Sequence, residues 1–230
     1  MIRKSFIIKL SVAFIILSAT FFTVQAQDKC GVSMHVNGLL PIGQFRETPE
    51  CIVPGTETGV GHHGAAEFGA GLGFRYNYRF QKTRLEYTGL GIFASVDVMW
   101  NALNKTARKS YDSVSCTKPH YINVPMIVGI SYTSTFRSVA NLYVEAGIGC
   151  DLFFKTTEGW SGNTTKYKMS PQFAAEGGIG VIFAEVVGIG VHYYWCGKHN
   201  LEIKGKTYPN KSDIETLQIS QLAFRVSVYF

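Results

Sequence analysis

Acidic, basic and histidine side chains recur at alternate positions along several stretches of this sequence. Carboxylates beside histidines can carry out general acid–base chemistry or bind metal ions, and carboxylates beside arginines form ion pairs. The residues concerned are Glu67, Asp97, Glu145, Asp151, Glu176, Arg75, Arg79, Arg225, His35 and His192. Charges that leave water persist only when they are paired and hydrogen-bonded. We therefore predict a network of salt bridges, with a narrow pore and a small polar binding site as the alternatives.

Sequence motifs of known catalytic centres are missing, since the chain holds no G-x-S-x-G and no H-E-x-x-H segment. His192, together with serines in neighbouring loops, is the one candidate for an acyl-transfer or lipase centre. The cysteines show no C-x-x-C spacing, so they do not favour a metal site, and their pairing stays open: Cys30, Cys51, Cys116, Cys150 and Cys196. We expect a protein that is not an enzyme, without catalytic residues, cofactor or bound metal.

Glycine is enriched, with 24 of 230 residues, or about a tenth, against about 7% in average proteins. G-x-G spacings occur at 69–73, 89–91, 147–149, 178–180 and 188–190. A dinucleotide-binding fingerprint requires a turn from a strand into a helix. These glycines instead lie inside alternating segments, on the same side as the ionisable residues. We predict that they make room for those larger side chains.

The first 26 residues have the pattern of a cleaved secretory signal peptide. Basic residues precede or interrupt an apolar run from Phe6 to Phe22, and small residues follow near Ala26. Loss of this segment removes three of the 22 basic residues and no acidic one, so the net charge falls from +6 to +3. The mature chain, residues 27–230, is therefore expected to be exported, and nucleic acid is not expected as a partner.

Alternation with a period of two dominates the rest of the chain. From Phe68 to Phe80 the even positions are apolar, whereas the odd positions from Glu67 to Arg79 are glycine, charged or amide residues. Successive side chains of a strand point to opposite faces. This pattern is therefore typical of a strand with one face in an apolar environment and the other in a polar one. Eight such segments occur, at about 32–37, 66–80, 89–100, 122–131, 142–152, 172–183, 187–195 and 222–230.

The lengths of these segments and of their connections indicate a membrane barrel. Most segments offer ten or more residues, close to the 9–11 that a tilted strand needs to cross a bilayer. Long connections near 43–64, 101–119, 155–171 and 197–216 alternate with short ones near 81–85, 133–138 and 184–186. We predict one all-β domain, an eight-stranded antiparallel up-and-down barrel in the outer membrane, with long external loops and short periplasmic turns. A transmembrane helix over 173–195 is the alternative, disfavoured by Glu176, Glu185 and five glycines.

Two segments resemble known sequence patterns of outer-membrane proteins. Tyr121 to Gly129, with Pro125 inside a strand, resembles the Tyr-x-x-x-Pro-hydrophobic strand of the PorT-like β-barrel family. The C-terminal segment 224–230 resembles the aromatic-terminated last strand that the barrel insertion machinery reads, with Phe230 as the signal. The resemblance implies an outer-membrane location and a small closed barrel of the OmpA type. It brings no catalytic residues, and some members of the family act in protein secretion.

The expected partners follow from this location: outer-membrane lipid and lipopolysaccharide, the insertion machinery and other envelope proteins. The connections 101–119 and 155–171 are basic, so they are suited to lipopolysaccharide phosphates. The first functional hypothesis is a barrel with a lumen filled by side chains, a structural or accessory subunit of an envelope complex that presents external loops. The alternative is a component of a secretion or transport system, or a narrow pore.

Overall fold

The fold is described by a computed structural model that covers residues 30–49, 63–80, 89–113, 117–137, 140–160, 163–206 and 214–230. The expected signal peptide at 1–26 lies outside the described residues. Within these ranges, ten strands and one α-helix follow one another along the chain: β1 (Cys30–Ile42), β2 (Gly69–Arg79), β3 (Gly89–Ala102), α1 (Lys105–Ser113), β4 (His120–Arg137), β5 (Ala140–Lys155), β6 (Glu158–Trp160), β7 (Asn163–Thr165), β8 (Ser170–Phe183), β9 (Val187–Asn200) and β10 (Thr216–Tyr229). A 3-10 turn, Gly43–Phe45, follows β1.

Eight of these strands form a closed antiparallel barrel, which confirms the predicted fold class. Each barrel strand pairs with the barrel strand that follows it in the chain. The short strands β6 and β7 form a separate hairpin in the connection between β5 and β8. Closure comes from β1, which pairs with β2 on one side and with β10 on the other. The N-H of Phe230 extends this pairing by donating to the carbonyl of Val32, at 2.8 Å. Because every long strand has two partners, the barrel has no free edge.

Exposure alternates along the strands as the sequence predicts. In β3, Ile92, Val96 and Val98 are exposed, whereas Ser95 and Asp97 are buried. Buried polar and exposed apolar residues are the reverse of a water-soluble protein and typical of a barrel surrounded by lipid. The barrel strands contain between 11 and 18 residues, so several are longer than a bilayer requires.

The strands extend further into the long connections than the alternation of the sequence suggests. In β9, Cys196 and Gly197 are both buried between the outward Trp195 and Lys198, and Gly197 has a φ of +73°. The facing strand β10 shifts register between Gln218 and Ser220. Both observations mark one β-bulge, at which Cys196 and Gly197 of β9 oppose the single residue Ile219 of β10. The bulge resets the period of two in β9 while strand pairing continues. The regular alternation of the sequence is therefore visible only on the turn side of the bulge. The strands themselves extend beyond it, since β9 runs to Asn200 and β10 begins at Thr216.

Residues 173–195 form β8 and β9 and not a helix, as the glycines and carboxylates in this stretch predict. Within the described residues, no helix has the length and apolar character needed to span a membrane. The two strands are joined by a tight turn in which Val186 N-H donates to the Phe183 carbonyl at 3.0 Å. Ala184 and Glu185 both have positive φ, +46° and +63°. This is the geometry of a type I′ turn, which matches the twist of a hairpin but favours Asn-Gly.

The Ala184-Glu185 turn gives a first prediction. The double variant Ala184→Asn/Glu185→Gly should raise the free energy of unfolding by about 1–2 kcal/mol, because left-handed backbone is costly for Ala and Glu. The midpoint of heat-induced unfolding, followed by the gel mobility of unheated and heated samples, measures this change. The control variant Ala184→Val should lower the midpoint, because a β-branched residue tolerates positive φ poorly. A double variant that unfolds at or below the wild-type midpoint would contradict the turn assignment.

A second prediction concerns the lipid-facing surface at Val128. This side chain is 60% exposed and lies in the middle of the outward run of β4, between Met126 and Ile130. Val128→Arg should therefore destabilise the inserted barrel by about 2–4 kcal/mol, as expected for a charge near the bilayer midplane. The measurement is equilibrium unfolding in lipid vesicles. Val186→Arg, in the exposed turn, is the matched control and should cost at most about 1 kcal/mol. Equal losses for both variants would mean that Val128 does not lie near the midplane.

Candidate functional site

Arg225 lies at the centre of a layer of charges inside the barrel. The side chain projects inward from β10 and is 2% exposed. Its guanidinium Nη2 lies 3.2 Å from Glu176 Oε1 and 3.7 Å from Asp97 Oδ2, and Nη1 lies 3.7 Å from Glu145 Oε1. Arg225 Nη2 also donates to the hydroxyl of Tyr194. One cation thus neutralises carboxylates that come from three different strands.

Arg75 forms the second cationic centre of this layer. It donates from Nη1 to Glu145 Oε1 and from Nε to Asn77 Oδ1 at 2.7 Å. The guanidinium carbon of Arg75 lies 3.7 Å from the centre of the Phe93 ring. Since Arg75 is 5% and Glu145 is 5% exposed, this pair is shielded from solvent. The aromatic face adds a cation–π contact that holds the guanidinium plane in position.

Two histidines complete the layer, and each contacts a carboxylate. His35 Nε2 lies 2.7 Å from Asp97 Oδ1, which also accepts a hydrogen bond from the Asn37 amide at 2.7 Å. His192 Nδ1 lies 2.9 Å from Glu176 Oε1, and its Nε2 lies 3.0 Å from the Tyr143 hydroxyl. Both ring nitrogens of His192 therefore have partners inside the lumen. We call the whole set the lumen network; its members are His35, Asn37, Arg75, Asp97, Tyr143, Glu145, Glu176, His192, Tyr194 and Arg225.

The strand glycines give this network its space. A Cβ atom built on Gly73 would clash with the side chains of His35 and Asp97, and one built on Gly178 would clash with the His192 ring. A Cβ on Gly190 would clash with the Tyr143 hydroxyl. An eight-stranded barrel has an interior just wide enough for side chains. Glycine on one strand therefore allows a histidine on the next strand, or a tyrosine two strands away, to lie in the lumen.

Three other charged residues that the sequence pattern assigns to the lumen do not join the lumen network. Glu67 precedes β2 and pairs with Arg108 of α1, and both side chains are about two-fifths exposed, so Glu67 is not part of the lumen network. The alternation predicts an inward position, but the strand begins only at Gly69 and the chain before it turns toward the helix. Arg79 is partly exposed near the far end of β2, opposite Gly91. Asp151 is buried but faces His199, with 3.1 Å between Asp151 Oδ2 and His199 Nε2.

An apolar layer closes the lumen on the side of the long connections. We call it the apolar cap; it comprises Leu39, Phe45, Ala65, Ala66, Met99, Leu103, Ala107, Tyr111, Tyr121, Phe153, Tyr167, Cys196, Leu201, Leu217, Ile219 and Ala223, together with the ring of Tyr194, whose hydroxyl belongs to the lumen network. About half of these residues come from connections and half from the barrel strands. Tyr121 links a barrel strand to two connections. Its hydroxyl donates to the Gly64 carbonyl at 2.7 Å, and its ring contacts Phe45 with 5.4 Å between centroids. The sequence pattern predicts outward recognition surfaces in these connections and does not predict a cap.

Helix α1 is built to lie over this opening. Asn104 caps its first turn, accepting from the Ala107 N-H at 2.9 Å. Ala107 and Tyr111 are four residues apart, so they share one helix face, and both are buried in the cap. Lys105 and Lys109 are on the exposed face. The sequence pattern predicts only a connection over this stretch and misses the helix, although an apolar pair four residues apart is a signal for one.

Glu158 ties α1 to the connection between β5 and β8. It accepts hydrogen bonds from the hydroxyls of Tyr111 and Tyr167, the latter at 3.0 Å, and pairs with Lys155 Nζ at 3.0 Å. Glu158 is 2% exposed. Burial beside this carboxylate raises the pKa of both Tyr111 and Tyr167 well above the usual value for tyrosine, so both hydroxyls remain donors. The connection is thus fixed over the lumen by hydrogen bonds as well as by apolar contact.

Glu145, Glu176 and His192 also have the donor types and proximity of a metal site. One ligand atom from each lies within 4.8 Å of the others, and all three residues are buried. However, Arg75 donates to Glu145, and Arg225 lies 3.2 Å from Glu176. Guanidinium groups already supply the positive charge that a metal ion would bring. The arrangement therefore suits charge-neutralising packing better than metal binding.

The cysteines are described in part. Cys150 and Cys196 are free thiols, the first partly exposed and the second buried. Cys51 and Cys116 lie outside the described residues, as does the side chain of Cys30. The pairing of those three therefore remains as open as it is in the sequence.

Comparison with known proteins finds similar folds. No family model and no curated protein matches the sequence. Among solved structures, Neisserial surface protein A is 12% identical, with a TM-score of 0.45 over 87% of this chain and 97% of that chain. Ail of Yersinia pestis is 10% identical, with a TM-score of 0.44 over 89% and 100%. The outer membrane enzyme PagL is 15% identical, with a TM-score of 0.41 over 86% and 98%. Membership of the PorT-like family stays a prediction.

Proposed function

We propose that this protein is a non-enzymatic outer-membrane barrel that does not conduct, and that it serves as a structural or accessory subunit of an envelope complex by presenting its external connections. The observation that carries the proposal is the filled lumen. Two stacked layers, the lumen network and the apolar cap, occupy the interior from the middle of the strands to the long connections. The side chains of both layers are almost completely buried in the described part of the chain, so we expect no continuous aqueous path through them.

The outer-membrane location is supported by the surface of the strands. Large apolar side chains are exposed all around the barrel, for example Leu72, Val128, Ile179 and Val226 at 51–67%. A soluble barrel with this surface would aggregate, because patches of more than a few hundred Å² are rarely left exposed to water. Together with the expected signal peptide, this surface favours an exported barrel inserted by the outer-membrane machinery, with Phe230 as the proposed insertion signal.

Conductance separates a filled barrel from a pore. The full-length mature protein, reconstituted in planar lipid bilayers, should show no steady conductance steps in concentrated potassium chloride. A double variant, Tyr111→Ala/Arg225→Ala, removes a large side chain from the cap and the central cation from the network, so it should conduct more than the wild type. Steady ohmic conductance of the wild-type protein would contradict the proposal and favour the narrow-pore alternative. Insertion of both proteins is verified by the shift in gel mobility between unheated and boiled samples.

The accessory role requires a partner in the envelope. Cross-linking in intact cells, followed by affinity purification of the tagged barrel, should recover a stoichiometric envelope protein. A variant in which the exposed face of α1 is altered, Lys105→Ala/Lys109→Ala, serves as a comparison for contacts made through that helix. Recovery of a protein translocation apparatus would favour the secretion alternative. Absence of any stoichiometric partner under conditions that capture a known complex would contradict an accessory role.

A further inference from the structure

The connection that precedes β8 and the one that follows β9 pair with each other beyond the ends of these two strands. Tyr167 and Ile203 form an antiparallel bridge. Around it, the Lys168 N-H donates to the Glu202 carbonyl at 2.7 Å, and the Lys204 N-H donates to the Lys166 carbonyl at 2.8 Å. This pattern places Lys166 directly opposite Lys204, and Lys168 directly opposite Glu202.

The orientation of the pair is fixed by its central residues. Tyr167 is 7% exposed, and Ile203 packs against the apolar cap, so both point toward the barrel axis. Their neighbours on either side consequently point away from it, and Lys166, Lys168 and Lys204 are all exposed. A salt bridge of 2.8 Å between Lys168 and Glu202 shows that opposite residues share this outer face.

Lys198 extends the same face toward the membrane. It is exposed on the outer side of β9, and the residues at every second position from there to Lys204 are at least partly exposed. We call the set of Lys166, Lys168, Lys198 and Lys204 the lysine face. With Glu202 as the acidic residue on it, the face carries a net charge of +3.

The charge pattern of this face is unfavourable for the protein alone. Lys166 and Lys204 are like charges directly opposite on one face, which destabilises a strand pair. Glu202 is engaged by Lys168. An anion lying between Lys166 and Lys204 would remove the repulsion, and a phosphate offers several acceptor oxygens to two ammonium groups. The opposed ammonium groups of Lys166 and Lys204 are thus suited to bind an anion.

The position of the lysine face along the barrel axis places it near the bilayer surface. Outward apolar residues of β9 run from Val187 to Trp195, and Lys198 follows three positions later. At about 3.3 Å per residue and a tilt of 35–45°, this run covers on the order of 20 Å, close to the apolar band of an outer-membrane barrel. Lys198 then lies at headgroup level, and the other lysines lie further out. Met169, next to Lys168, is 48% exposed and gives the lysines an apolar neighbour.

We propose that the lysine face binds the phosphate groups of a phosphorylated glycolipid of the outer leaflet. This inference rests on the outer-membrane location proposed above. A lipid is favoured over a soluble polyanion because the positive charge continues down to the edge of the apolar band at Trp195, where acyl chains begin. Lys166 and Lys204, which face each other across the strand pair, are the lysines that the lipid phosphates would engage.

Retention of lipopolysaccharide by charge variants tests the proposal. The wild-type mature protein and two variants, Lys166→Glu/Lys204→Glu and Lys105→Glu/Lys109→Glu, are inserted into phosphatidylcholine vesicles that contain lipopolysaccharide, extracted in non-ionic detergent and assayed for bound lipopolysaccharide. The two variants change the net charge equally, but the second alters the exposed face of α1. That face belongs to the basic connection 101–119, so the second variant tests the rival binding surface that the sequence suggests. We expect at least a fivefold loss of retained lipopolysaccharide for the first variant and less than a twofold change for the second. Heat-modifiable mobility verifies that all three proteins are folded.

Dephosphorylated lipopolysaccharide distinguishes phosphate binding from other contacts. The wild type should retain it at least fivefold less than the phosphorylated form, and raised salt should weaken retention of the phosphorylated form, as for any exposed charge. Equal losses for the two variants, or equal retention of both lipids by the wild type, would overturn the proposal. So would tighter binding of soluble heparin than of lipopolysaccharide. Cell fractionation reports separately on the outer-membrane location, so the failure of one proposal is distinguishable from the failure of the other.

Discussion

Replacing Arg225 with methionine should lower the free energy of unfolding by about 3–5 kcal/mol, the usual effect of removing one partner from a buried ionic group. Methionine fills much of the same volume but leaves Asp97, Glu145 and Glu176 without their shared cation. It also removes the hydrogen bond that the guanidinium Nε donates to Asn37, at 3.1 Å. Equilibrium unfolding in lipid vesicles, followed by tryptophan fluorescence, measures the loss.

The matched control is an arginine that pairs with a carboxylate at the surface. Arg108 contacts Glu67, and its side chain is 42% exposed. Because water solvates both charges in the absence of the pair, Arg108→Met should cost at most about 1 kcal/mol. If Arg225→Met costs no more than Arg108→Met, water has access to the lumen network and side chains do not fill the interior.

Glu145→Ala is expected to have a comparably large effect, about 3–5 kcal/mol, reduced if water partly hydrates the lumen. The structure identifies Arg75 as the direct partner, with Arg225 further away at 3.7 Å. Arg75→Ala should also destabilise the barrel strongly. The double variant should cost clearly less than the sum of the two single variants, because neither charge is then left without its partner.

The same variants separate a filled barrel from an open one. If the lumen were an aqueous pore, Glu145 would already be solvated, and its removal would change ion selectivity more than stability. Unchanged stability with altered conductance would therefore favour the transport alternative. A second cycle that pairs Glu145→Ala with Arg79→Ala is the control and should be additive, since Arg79 lies near the exposed end of β2. Strong coupling in that cycle would show that Arg79 and not Arg75 is the partner.

The sequence by itself determined the strands and their two faces. The alternation from Phe68 to Phe80 predicted that Leu72 and Phe74 face outward and that Gly73 and Arg75 face inward, as the structure shows. This information is local, because the pleat of a strand sends neighbouring side chains to opposite sides and the lipid boundary selects apolar residues for one of them. Alternation failed where the pleat is interrupted, at the bulge beside Gly197, and before β2, where Glu67 turns to meet Arg108.

Only the tertiary structure decided which inward residues meet. Arg75 pairs with Glu145, 70 positions away, and Arg225 reaches carboxylates on β3, β5 and β8. These choices depend on the stagger and tilt of the closed barrel, which set the depth of each side chain in the lumen and leave no periodic trace in the sequence. The opposition of Lys166 and Lys204 has a more local origin, because the Tyr167–Ile203 bridge continues the register of the β8–β9 hairpin. The cap over the lumen depends on barrel closure, since it comes from contacts between connections. Such contacts form only once the closed barrel has brought the ends of its strands together.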